Sequence, residues 1–117
     1  AEDVGQIVEL LGRAAGDLIE IQHAAAQDVL RLIVKGAPMD RITSAVTAWL
    51  DTCDQMADQD DVPEIQPLGR GMAAVFRQQR IFFGDTHAGN IGRVRRDGDH
   101  RWVITDPGNV VVFGRGE

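Results

Sequence analysis

The sequence predicts an α+β fold, and three observations predict it. Apolar residues recur at gaps of three and four through the first two-thirds of the chain, which is the signature of amphipathic helices. From Arg80 onward that pattern gives way to short apolar runs, two of them separated by Asp97-Gly98, a strong hairpin-turn pair. Between these regions stand stop signals, Lys35-Gly36 before Pro38 and an acidic stretch before Pro63. A chain of 117 residues forms one small domain. Its helical part covers about 1–79 and its loop and hairpin part about 80–117, an α+β arrangement with helices first and a small antiparallel sheet last.

The first helix is expected from Val4 to Val34, with Val4, Ile7, Val8, Leu11, Ala15, Leu18, Ile21, Ala25, Val29 and Leu32 on one face. Gly5, Gly12 and Gly16 each cost about 1 kcal/mol against alanine in a helix, so the first turns are expected to fray or break. Lys35 supplies a cation in the last turn and Gly36 a C′ residue. The second helix is expected from about Met39 to Asp58, with Asp40 as N-cap or first-turn acid and Ile42, Val46, Trp49, Leu50, Cys53 and Met56 as its stripe. A shorter third helix follows from about Pro67 to Gln79, burying Leu68, Met72, Val75 and Phe76. Ile81 to Phe83 is a short apolar run. Ile91 to Arg95 and Arg101 to Thr105 read as paired strands, and Val110 to Phe113 as a further strand-like run.

Composition narrows function. The single cysteine, Cys53, excludes an intrachain disulfide and a Cys-rich zinc site, and it reads as a buried thiol. No apolar run approaches the roughly 20 residues of a membrane span, and no signal sequence opens the chain, so a cytoplasmic protein is expected. The net charge of −6 is unevenly spread: residues 1–65 carry 13 Asp and Glu against 4 Lys and Arg, whereas residues 66–117 carry 5 against 8. An acidic helical half argues against direct nucleic-acid binding, because phosphates attract a basic surface. It suits a protein partner that is basic or itself binds nucleic acid. Asp51, Asp54, Asp58, Asp60 and Asp61 are the candidate partner-binding residues. The same aspartates form no calcium loop, since the glycine and bidentate glutamate are missing.

The chemistry-bearing stretch is Phe83-Gly84-Asp85-Thr86-His87-Ala88-Gly89-Asn90-Ile91, followed by Ile104-Thr105-Asp106-Pro107-Gly108. A turn centred on Gly98 pairs residues whose numbers sum to about 196, so Asn90 is expected to face Asp106 at the open end of the hairpin. Asp85 precedes Asn90 on the same loop. Two carboxylates and an amide oxygen are hard donors of the kind Mg²⁺ takes, and His87 adds a polar group. A transition-metal site from Asp85, His87 and Asp106 lacks a second histidine at sensible spacing. His23, mid-helix, reads as a surface or packing residue, and Trp49 and Trp102 as anchors of the core.

This stretch resembles the catalytic and metal-binding segments of the protein-kinase-like superfamily, closest to its aminoglycoside and choline phosphotransferase-like branch. The likeness covers residues 81–113 and, more loosely, the helix before them. It implies a C-lobe-like fold in which Asp85 orients or deprotonates an acceptor hydroxyl, while Asn90 and Asp106 hold Mg²⁺ against ATP phosphates. Phe83 stands where that family usually has a histidine. A recognisable N-lobe, with its phosphate loop and strand lysine, is missing; Lys35 stands at a helix end, and Leu68-Gly69-Arg70-Gly71 has no strand before it.

Two functional expectations result. One is a small acidic, non-catalytic protein-binding module with a kinase-like remnant, a pseudokinase of the general look of phage or mobile-element inhibitors that shut down host nucleic-acid machinery, anti-CRISPR proteins among them. The other is an Mg-ATP-dependent phosphotransferase C-lobe, truncated or minimal. Helices with finished apolar stripes and acidic outer faces incline the expectation to the first, and to a complete small protein.

Overall fold

The structure, a computed structural model, describes residues 4–60, 65–86, 91–96, 99–104 and 110–114, with the backbone alone at 4–15, 91–96 and 99–103. Among the described residues three helices precede four short strands: α1 (Val4–Val34), α2 (Met39–Ala57), α3 (Gln66–Gln79), β1 (Ile81–Phe83), β2 (Ile91–Arg96), β3 (Asp99–Ile104) and β4 (Val110–Val112). The α+β arrangement expected from the residue pattern is therefore the observed one.

α1 runs unbroken from Val4, so its glycines do not interrupt it. It ends in a Schellman motif. Gly36 takes φ 69°, its N–H reaches the carbonyl of Ile33, and the N–H of Ala37 reaches that of Leu32. The left-handed turn is what glycine is needed for here. Pro38 then accepts the first bonds of α2 through its carbonyl, from the N–H groups of Arg41 and Ile42. Pro38 occupies the N-cap, so Asp40 is a first-turn acid.

Of the expected face of α1, Val29 is buried and Leu18, Ala25 and Leu32 pack half-buried against the core, while the fully buried line runs just beside it. Ile19, Gln22, Ala26 and Val29 are fully buried, whereas Ile21 is 50% exposed. Apolar residues stand at 18 and 19 and again at 24 to 26, so two neighbouring stripes satisfy helical spacing almost equally. What decides between them is packing, together with a polar residue, Gln22, that has its partner elsewhere in the fold.

α2 buries Ile42, Val46, Trp49, Thr52, Cys53 and Met56, and α3 packs on it through Leu68, Gly69, Met72, Ala73 and Phe76. Gly69 lies where the two helices cross: a Cβ there would stand 2.4 Å from the Cys53 carbonyl oxygen and 2.6 Å from Met56 Cβ. The two glycines at 69 and 71 thus lie inside a helix, and the first is there for close approach.

α3 stops at Arg80, whose backbone is left-handed at φ 60°. Its guanidinium carbon lies 4.6 Å from the Phe76 ring centroid, and its carbonyl accepts the N–H of Phe113. The reversal sends the chain into β1 with Phe82 buried against Trp49, ring centroids 4.6 Å apart and edge to face. Phe76 and Phe113 complete this aromatic cluster, which fastens the sheet region to α2 and α3.

The strands form two antiparallel ribbons, one nested in the other along the chain. β1 pairs with β4, Phe83 opposite Val110, and β2 pairs with β3, Ile91 opposite Ile104. Arg96 lies opposite Asp99, leaving two residues between them. The register therefore pairs Ile91 with Ile104 and Gly92 with Val103, one residue off the expected one, because the hairpin centres between Asp97 and Gly98 instead of on Gly98. The expected opposition of Asn90 and Asp106 lies outside the described residues.

Candidate functional site

β1 is short, but its middle residue, Phe82, is locked in the aromatic core, so the chain leaves it from a fixed point. The next three residues, Gly84, Asp85 and Thr86, run against α1. Polar side chains of that helix meet each of them. Gln27 Nε2 donates to the Gly84 carbonyl at 3.0 Å. Gln22 Nε2 donates to the Thr86 carbonyl, and the Thr86 hydroxyl donates back to Gln22 Oε1 at 2.7 Å. Gln22 and Thr86 are both fully buried, so each satisfies the other where water cannot.

Between these two anchors His23 Nδ1 stands 3.9 Å from Asp85 Oδ1. The two side chains are 22% and 30% exposed. The expected catalytic aspartate is thus a half-buried carboxylate on a loop held at both of its neighbours. Phe83 is half-buried and packs against the core, as an apolar strand residue does. Asn90, Asp106 and His87 lie outside the described residues, as does Asp61. Trp102 is described in its backbone alone, in β3. Among the described residues no group of three His, Cys, Asp or Glu side chains could hold a metal ion.

Residue patterning missed Gln22, His23, Gln27 and Thr86. A signal was present for the first. Gln22 follows Ile19 by three and precedes Ala26 by four, so it occupies a core position of the true buried face. A polar residue at a core position needs a partner, and nothing within one helix names it.

The acidic residues expected to dock a partner differ in their surroundings. Asp54 receives both terminal nitrogens of Arg77, at 2.8 and 3.2 Å, and that hydrogen-bonded pairing raises the guanidinium pKa above its ordinary value. Asp51, Asp58 and Asp60 are exposed. Cys53 is buried beneath them, and burial, with the Asp54 charge as a lesser cause, pushes its thiol pKa up to about 12. Such a thiol is inert near neutral pH, in line with a core role.

No family model, curated protein or solved structure matches this chain. No described helix is long and apolar enough to cross a membrane.

Proposed function

We propose that this chain carries the acceptor- and metal-binding half of an ATP-dependent phosphotransferase site. The observation that supports this most is the nesting of the two ribbons. Residues 84–90 run from β1 to β2, and residues 105–109 run from β3 to β4. Because Phe83 pairs with Val110 and Ile91 pairs with Ile104, both connections begin and end at the same two paired positions. The first carries Asp85 and Asn90, the second Asp106. A pairing of strands that ties these two short segments together at both ends is what a shared site for their side chains requires.

The donor chemistry fits the group implied. One carboxylate and one amide oxygen, from Asp106 and Asn90, are hard ligands that suit Mg²⁺ and leave coordination positions for phosphate oxygens and water. When bound, Mg²⁺ offsets negative charge on the nucleotide phosphates. Asp85 orients the acceptor hydroxyl and takes its proton as the acceptor oxygen bonds to the γ-phosphorus. The bond from that phosphorus to the β,γ-bridging oxygen breaks, and its electron pair leaves with ADP. The docking reading has no comparable feature, since exposed aspartates on α2 and just after it are equally a solvated surface.

The test is calorimetric titration of the chain with MgATP beside the Asp106→Ala variant. Micromolar binding that the substitution abolishes is expected. The absence of heat and of thermal stabilisation at millimolar MgATP would overturn the proposal.

A further inference from the structure

Asp85 is held from three directions by one helix. Gln27 fixes the carbonyl before it, Gln22 fixes the carbonyl after it, and His23 faces its carboxylate at 3.9 Å. Gln27 ties the peptide unit that precedes Asp85 to α1, and Gln22 ties Thr86, the residue that follows it. His23 is the α1 side chain that faces the Asp85 carboxylate. A half-buried carboxylate gains from an N–H donor that faces it.

We infer that His23 is a positioning residue for Asp85: its imidazole carries a proton on Nδ1 and directs it to Asp85 Oδ1. This rests on the reading of Asp85 as the acceptor-side carboxylate, although the contact itself can be tested without nucleotide. The tautomer of an imidazole is set by the hydrogen bond that one of its nitrogens makes, so the tautomer reports the contact.

The experiment is a long-range ¹H–¹⁵N spectrum of the ¹⁵N-labelled full chain at about pH 8.5, above the ordinary imidazole range. Comparison with His23→Gln identifies the His23 signals among the three histidines. The expected wild-type spectrum shows Nδ1 as the protonated, pyrrole-type nitrogen. Asp85→Asn, which keeps an acceptor oxygen, preserves that state, and Asp85→Ala shifts the major form to Nε2–H. A merely packed histidine would not follow the acceptor in this way. A wild-type His23 protonated on Nε2 overturns the inference even if Asp85→Ala does not fold, and so does a tautomer indifferent to Asp85→Ala. Neither outcome depends on MgATP binding, so the two proposals fail separately.

Discussion

The reciprocal pair between Gln22 and Thr86 makes an unusual prediction about the order of stabilities. Both side chains are fully buried, and the pair contains two hydrogen bonds: Gln22 Nε2 to the Thr86 carbonyl, and the Thr86 hydroxyl to Gln22 Oε1. Gln22→Met keeps length and helix propensity but orphans two buried groups, the Thr86 hydroxyl and its carbonyl. Each orphan costs about 1–3 kcal/mol, so a loss of roughly 2–4 kcal/mol is expected after partial relaxation of the loop. Thr86→Val orphans Gln22 Oε1 alone and costs about 1–2 kcal/mol. The double variant leaves a single orphan, the Thr86 carbonyl, because its hydroxyl is gone. It should therefore be more stable than Gln22→Met, by about 1 kcal/mol. Urea unfolding followed through the buried Trp49 measures all four proteins, and an unchanged m value shows that the same surface unfolds in each. In thermal melts each kcal/mol corresponds to about 4 °C for a domain of this size. Additive losses, with the double variant the least stable of the four, would refute the reasoning.

Two further perturbations probe the scaffold beneath the site. Gly69→Ala should destabilise by about 1–3 kcal/mol, because its Cβ would meet the Cys53 carbonyl at 2.4 Å and Met56 Cβ at 2.6 Å. Gly71→Ala, in the same helix with nothing within 4 Å of the added atom, should gain up to about 1 kcal/mol; paired denaturation curves compare them. For Cys53 the folded-state thiol pKa is raised from 9.0 to about 12, so the folded chain keeps a proton that the unfolded chain loses. Stability is unaffected by this group below pH 9 and falls as pH rises from 9 towards 12, with a slope approaching about 1.4 kcal/mol per pH unit. Cys53→Ala removes that alkaline slope, which a pH series of urea midpoints detects, and a thiol reagent at pH 8 should label Cys53 only after unfolding.

Local signals determined much of this protein. Helical periodicity, the Gly36 stop and the change of pattern at Arg80 sufficed for the element order, because these depend on residues within a few positions of one another. The Asp97-Gly98 pair fixed the hairpin to within one residue of its register. Of the motif residues Asp85, Asn90 and Asp106, which the sequence offers as a chemical set, the structure describes Asp85. Tertiary structure alone decided the rest. The pairing of β1 with β4 joins residues about 30 apart in sequence, and three valines in a row carry no record of their partner. The buried face of α1 was degenerate between two stripes until Gln22 met Thr86, 64 positions away. His23 had no functional signature for the same reason: its neighbour Asp85 is near in space and remote in the chain. Periodicity reports which side of an element is buried, but a polar contact between distant segments is created only when packing brings them together.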